Sequence, residues 1–214
     1  MAEQTSLADL GWTPLFQQQL TLEEMETLLP ARVFEVQRTG VRLRFEGEAG
    51  GRELDVPLGG RWFQGSPEDR PTVGDWVLFN PESGAIERLL ERKSLLKRMS
   101  VNRPGDVQLI AANVDVMFLV SSCNEEFNLA RMERYLALAM DAGVQPVVVL
   151  TKADLTDDAD DYREQAMSLS RDLIVEVVNA LAEEELEPLK AWCVRGQTIT
   201  LLGSSGVGKS TLIN

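Results

Sequence analysis

Leu201-Leu202-Gly203-Ser204-Ser205-Gly206-Val207-Gly208-Lys209-Ser210-Thr211-Leu212-Ile213-Asn214, the last fourteen residues of the chain, decide how the rest is read. Gly203, Gly208, Lys209 and Ser210 fill the pattern G-x-x-x-x-G-K-S/T, and the apolar run Ile199 to Leu202 ahead of it predicts a strand. Gly203, Gly206 and Gly208 let the backbone bend through conformations closed to other residues, so that successive N–H groups turn toward one phosphate. Ser204, Ser205 and Val207 complete the loop, Lys209 adds a point charge, and Ser210 followed by Thr211 opens a helix whose N-terminal end favours an anion. The Ser210 hydroxyl is placed to ligate the magnesium ion that accompanies a nucleotide. From average residue usage the full pattern arises by chance in about one chain in a hundred of this length.

Working outward, 214 residues with 44% hydrophobic content invite two domains and allow each a core. No window approaches 18 uncharged apolar residues, and the first thirty residues hold no Lys or Arg, so neither a membrane span nor a secretory signal is expected and the protein reads as cytoplasmic. Cys123 and Cys193 stand apart and there is no histidine, which leaves no zinc set and no imidazole base; two buried reduced thiols are expected. The net charge of −13 is uneven: residues 1–30 carry −5, residues 31–98 carry +1 and residues 113–214 carry −9. Between Arg88 and Arg103 six bases face Glu91 alone, and Arg92, Lys93, Lys97 and Arg98 form a candidate phosphate-contacting strip, with a solvated basic linker as the other reading.

In chain order, residues 1–30 read as an extension with a short helix capped by Thr21 and Glu24. Residues 31–95 predict five short strands near 31–37, 41–46, 52–57, 74–79 and 85–91. Such a set suits an oligonucleotide-binding (OB) barrel, with an SH3-type barrel fitting the strand count nearly as well. Trp62, Phe63 and Trp76 are either core or base-stacking residues. Residues 96–112 read as a basic linker. From residue 113 strands alternate with helices: 'NVDVMFLVSS' (113–122), a helix over 128–143, 'QPVVVLTKADL' (145–155), a polar helix over 157–171, 'DLIVEVVNA' (172–180), a helix over 183–193 and 'QTITLLG' (197–203). This predicts a parallel α/β sheet with ligands at the carboxyl ends of its strands.

Three loops fall at that end. Thr151-Lys152-Ala153-Asp154 follows a buried strand and looks like the N/T-K-x-D guanine-reading motif of GTPases. A carboxylate has two acceptor oxygens and no donor, so Asp154 suits the N1–H and amino group of guanine, a donor pair that adenine lacks. The stem of Lys152 covers the base with methylenes. Asn179-Ala180 ends the next strand where such proteins have Ser-Ala; the departure at Asn179 leaves a hydroxyl role open, while the Ala180 N–H still suits the guanine carbonyl.

The order is distinctive, because Lys152 precedes Lys209 whereas ordinary GTPases meet the phosphate loop first. With the preceding barrel, 'VGDWV' (73–77), 'AANVD' (111–115), 'ERYL' (133–136) and 'GSSGVGKSTLIN' (203–214), the chain from about residue 31 closely resembles the ribosome small subunit-dependent GTPases of 30S assembly. The resemblance implies an OB barrel that contacts 16S ribosomal RNA in the 30S subunit, a circularly permuted P-loop domain over residues 113–214 that binds GTP or GDP with Mg2+, and a C-terminal zinc-binding domain. A monomer is expected. The chain stops before the switch threonine, the D-x-P-G loop and every zinc ligand, so it reads as an N-terminal piece, inactive as it stands, in which no catalytic residue is assigned. Two rival readings are an RNA-binding assembly chaperone with an inactive nucleotide domain and an ATP-dependent enzyme; Asp154 speaks against the latter.

Overall fold

Alternating apolar and charged residues put five antiparallel strands around one core in the first half of the chain. The computed structural model describes residues 4–48, 51–99 and 107–214, and it divides into two units, Met1–Val114 and Asp115–Asn214. In the first unit, β1 (Gln4–Thr5), helices α1 (Pro14–Gln17) and α2 (Leu22–Thr27), and strands β2 (Leu29–Val36), β3 (Gly40–Phe45), β4 (Gly47–Glu48), β5 (Arg52–Pro57), β6 (Trp76–Asn80) and β7 (Ala85–Leu89) follow in order. The five main strands run β5-β3-β2-β6-β7. After β5 the chain crosses over to place β6 beside β2, a Greek-key step that a simple meander lacks, and this separates the OB barrel from the other barrel allowed by strand count. Ala31, Val33, Val41, Leu43, Val56, Val77 and Ile86 fill the interior, with Trp62 packed against them.

The expected extension is part of this unit's packing. Phe16 is 1% and Trp76 0% exposed, and the two rings stand 5.9 Å apart with Trp12 edge-on to Trp76 at 4.8 Å. Burying a Phe side chain contributes on the order of 1.5–3 kcal/mol. Helix α2 carries the expected capping box, in which the Thr21 N–H holds the Glu24 carboxyl below its ordinary pKa and Arg88, bonded to it at 2.8 Å, lowers it further. Of the three aromatics flagged in the barrel, Trp76 is core and Phe63 is half exposed.

The basic linker expected over 96–112 is replaced by a hairpin: β8 (Leu95–Met99) pairs antiparallel with β9 (Val107–Ala112), while residues 100–106, Arg103 among them, lie outside the described residues. Adjacent bases Lys97 and Arg98 hid the strand, because half of an exposed edge ribbon is free to be charged. The strip is also engaged. Arg92, 12% exposed at its side chain, forms a two-pronged pair with the fully buried Asp75 at 2.7 Å on both prongs and donates to the Arg70 carbonyl. Lys97 pairs with Glu68 at 2.7 Å, and Arg98 bonds Gln108 at 3.0 Å. Around this node 'VGDWV' meets 'AANVD': the Asn113 amide donates to the Gly74 carbonyl at 2.9 Å and accepts from the Lys93 N–H at 2.9 Å. Gly74 has φ +89°, and a Cβ there would come within 2.1 Å of the Ala112 carbonyl oxygen, so no larger residue fits.

The second unit holds β10 (Val116–Ser122), α3 (Leu129–Asp141), β11 (Gln145–Thr151), α4 (Ala159–Met167), β12 (Ile174–Val177), α5 (Glu187–Lys190), β13 (Ile199–Leu202) and α6 (Lys209–Ile213). The sheet is wholly parallel in the order β12-β11-β10-β13, which leaves β13 at an edge. Its central strands, β10 and β11, are continuous apolar runs because both faces are covered. The helix expected over 183–193 is shorter, a 3-10 turn at Glu183–Leu186 leading into α5, since three successive glutamates and Pro188 supply little apolar periodicity.

Asp75→Ala would leave Arg92 buried without its counter-charge. The expected loss is about 3–5 kcal/mol of unfolding free energy, measured by urea denaturation followed through tryptophan fluorescence. Asp55→Ala, which removes the exposed partner of Arg42, is expected to leave the midpoint nearly unchanged.

Candidate functional site

Each loop of the site is made by the way its strand ends. At β13 the chain turns at Gly203, where a Cβ would meet the Val120 carbonyl oxygen at 2.3 Å; only glycine lets the loop leave the sheet so close to β10. Gly206 and Gly208 follow with φ +82° and +92°, and Gly208 caps α6, which begins at Lys209, one residue before the expected start at Ser210. Between them Val207, 1% exposed, inserts among Val120, Val147 and Val149 and anchors the loop from below. The Lys209 ammonium folds back to donate to the Gly203 carbonyl at 2.9 Å and to the Ser204 carbonyl. An anion inside the loop would compete with these carbonyls for the same charge.

At β11 the last strand residue, Thr151, is fully buried. Its hydroxyl donates to the Val207 carbonyl at 2.7 Å, with the Ser121 carbonyl at 3.2 Å. Lys152 then takes φ +60°, an uncommon left-handed conformation for a residue with a side chain, and tips the chain into the 3-10 turn Ala153–Leu155. Asp154 is exposed at that turn. At β12 the exit is held by the buried Val178, whose N–H reaches the Leu150 carbonyl at 2.9 Å. Asn179 follows as a turn residue: its side-chain carbonyl accepts from the Leu181 N–H at 3.0 Å.

These three exits meet in one cleft of about 220 Å³ lined by Thr151, Lys152, Asp154, Leu155, Asn179, Ala180, Leu181, Gly208 and Thr211. Residues from three loops named on sequence grounds therefore share a cavity. Ser204, Ser205, Gly206, Val207, Lys209 and Ser210 belong to the same loop as Gly208 but do not line that cleft; Val207 faces the core and the others stand at the start of α6 or in the turn before it.

Sequence reading missed two residues. Arg131, from the first turn of α3, donates to the Ser204 hydroxyl and lies 4.0 Å from Glu126, so a cation braces the glycine loop from a helix 73 residues away. Glu185 accepts the Asn179 N–H at 2.9 Å. Neither had a visible signal, Arg131 because it sits on an amphipathic helix and Glu185 because it is embedded in an acidic run. Among the described residues no three His, Cys, Asp or Glu gather as a metal site, and no helix is long and apolar enough to cross a membrane. The expectation of two buried thiols holds for one: Cys123 is buried, which pushes its thiol up to about 11, whereas Cys193 is exposed.

In sequence the Thr151–Asp154 turn precedes the glycine loop, yet the two are hydrogen-bonded neighbours at the carboxyl ends of one parallel sheet. With an OB barrel ahead of it, this arrangement defines a circularly permuted P-loop GTPase fold. Residues 89–214 match the family described as RsgA GTPase. The chain is 47% identical over 208 residues to the small ribosomal subunit biogenesis GTPase RsgA 2 of Vibrio parahaemolyticus, covering 97% of this chain and 55% of that protein. It is 46% identical over 213 residues to the small ribosomal subunit biogenesis GTPase RsgA of Mesorhizobium japonicum, covering 100% of this chain and 59% of the relative. Among solved structures it is similar to YjeQ from Thermotoga maritima, with a TM-score of 0.65, 28% identity, and coverage of 87% of this chain and 64% of that one. It shares its fold with YloQ, a circularly permuted GTPase, at a TM-score of 0.61 and 23% identity, over 87% of this chain and 63% of that one. The chain belongs to the RsgA GTPase family. It spans between 55% and 59% of the length of those two curated relatives.

Thr151→Val keeps the shape of the buried side chain and removes its hydroxyl, leaving the Val207 carbonyl without that donor. Unfolding free energy is expected to fall by roughly 1–3 kcal/mol, read by chemical denaturation of the variant against the parent.

Proposed function

We propose that this chain supplies the guanine- and phosphate-binding part of a GTPase that assists maturation of the small ribosomal subunit. The observation that carries the proposal is the bond from the Thr151 hydroxyl to the Val207 carbonyl, because it brings the Asp154 turn and the glycine loop to one cleft. In that cleft Asp154 accepts the N1–H and amino protons of guanine, Lys152 lays its methylenes over the base, and the Ala180 N–H donates to the 6-carbonyl. Gly203 to Thr211 surround the phosphates with backbone N–H groups, and Lys209 exchanges its two carbonyl partners for phosphate oxygens. Membership of the family brings Mg2+ with the nucleotide. A hard cation satisfied by one protein oxygen together with phosphate and water oxygens fits a lone hydroxyl at the start of α6, and Ser210 is the residue offered for it. GTP hydrolysis is proposed for the protein as a whole, and no residue of this chain is assigned to orienting the attacking water. Zinc is proposed only for the length of the relatives that this chain does not span.

The barrel and the hairpin β8–β9 are proposed to meet 16S ribosomal RNA in the 30S subunit, with residues 31–95 as the barrel and residues 113–214 as the nucleotide domain of a cytoplasmic monomer. Of the strip, Lys93, Lys97 and Arg98 are proposed for that role, and Arg92 is left out of it because its guanidinium is held in a buried pair with Asp75. Lys97 and Arg98 project from an edge ribbon, and the partners they hold among the described residues, the side chains of Glu68 and Gln108, are ones that a phosphate can displace.

Two measurements test the reading in the full protein. Asp154→Asn replaces an acceptor with a donor and should weaken GTP while favouring XTP, whose C2 carbonyl suits the new amide; equal preference for GTP over XTP in parent and variant would refute guanine reading. Changing Lys93, Lys97 and Arg98 to Ala, with Arg92 left in place, should reduce the slope of log affinity for small subunits against log salt by about 2–3, since each phosphate that is no longer neutralised removes roughly 0.7–0.9. An unchanged slope would remove the strip from the RNA interface.

A further inference from the structure

Five successive amides after β12 are arranged so that one of them is aimed. Val178 donates to the Leu150 carbonyl at 2.9 Å, Asn179 to the Glu185 carboxylate at 2.9 Å, Leu181 to the Asn179 side chain at 3.0 Å and Ala182 to the Asn179 carbonyl at 3.1 Å. Ala180 lies between these pinned positions and lines the cleft with Asp154. The Asn179 carbonyl and the Ala180 N–H belong to the same planar trans peptide and point in opposite directions. Holding that carbonyl toward Ala182 therefore fixes where the Ala180 N–H points.

We propose that Glu185 and Asn179 are positioning residues that aim the Ala180 N–H and thereby set selectivity at position 6 of the bound purine. This rests on the guanine reading proposed above. Glu185 suits the task because its own place is fixed. Its N–H bonds the Ala182 carbonyl at 3.0 Å, and its neighbour Leu186 packs against the sheet core with Leu189. A carboxylate so anchored pins the peptide before Asn179, while the Asn179 side chain pins the one before Leu181. Together they hold the intervening peptide from both ends. Where GTPases carry Ser-Ala at this turn, this chain has Asn-Ala, and the longer amide side chain closes the turn through its carbonyl oxygen. The neighbouring Glu183 faces the Lys190 ammonium at 3.8 Å, whereas the Glu185 carboxylate accepts from the backbone after β12, and that bond distinguishes position 185 from the run it belongs to.

The test compares GDP with 6-thioguanosine diphosphate, which keeps the N1–H and the amino group but carries a weaker acceptor, sulfur, at position 6. Dissociation constants are measured in the full protein by competition with a fluorescent GDP analogue. The ratio of the two constants is independent of the folded fraction. In the parent the ratio should favour GDP. Glu185→Ala and Asn179→Ala should each shrink the ratio about fivefold, the worth of one well-aligned hydrogen bond. Glu185→Gln and Asn179→Ser keep an acceptor at each place and should preserve it. An unchanged ratio in both alanine variants overturns the proposal, even where Asp154→Asn still switches preference from GDP to XDP and so upholds guanine reading. Failure of that Asp154→Asn switch refutes guanine reading, and this proposal with it.

Discussion

The hydroxyl of Thr151 is the link on which the site depends. It is a polar group with no access to water, and burying it without a partner would cost a few kcal/mol. Its nearer partner is the carbonyl of Val207, 56 residues later, with the Ser121 carbonyl of the neighbouring strand as the second. The nearer bond therefore forms only when β11 and the glycine loop are side by side. That condition places Asp154, Ala180 and Gly208 around one cavity. Gly208 is packed against the same threonine, where an added Cβ would lie 3.3 Å from the hydroxyl oxygen. The sheet brings the loops near each other, and this bond with the burial of Val207 sets their spacing.

The second unit uses the same physics three times. Each strand, fully buried in β11 and half-buried in β12 and the edge strand β13, ends where the backbone leaves the sheet through a residue with unusual conformational or hydrogen-bonding freedom: Gly203 at β13, Lys152 at φ +60° after β11, Asn179 after β12. At each exit the hydrophobic residue beside it stays in the core, as Val207, Leu150 and Val178 do. Chemistry gathers at that edge because the strands cannot continue there without burying unpaired amides.

The first unit is organised by charge in its interior. Arg92 and Asp75 join the end of the barrel to the turn at Glu68 to Arg70, and Asn113 secures the start of β6 from the far side. Two stretches that looked like separate signatures, 'VGDWV' and 'AANVD', are thus halves of one packed node. A run of bases is thus a poor guide to a surface: Arg92 goes into a buried pair, Arg88 into a pair with a helix-capping glutamate, Lys97 into a pair with Glu68 of the turn before β6, and Arg98 into a cross-strand bond with Gln108.

Period and spacing in the sequence were enough for the five barrel strands, for the alternating strands and helices after residue 113, and for the glycine loop and its lysine. Those features are local: side-chain period follows from backbone geometry, and a phosphate loop is a contiguous string of residues. The Asp154 turn was legible for the same reason. Strand order, however, is a matter of which chain segments lie side by side, so the Greek-key crossover emerged only in three dimensions. So did the hairpin hidden in the basic strip and the burial of the N-terminal aromatics. The bonds of Arg131 with Ser204 and of Glu185 with Asn179 belong to this second class as well. A charged side chain in an exposed-looking pattern shows no sign of the hydrogen bond it will make, because that bond depends on a partner brought close by the packing of other residues.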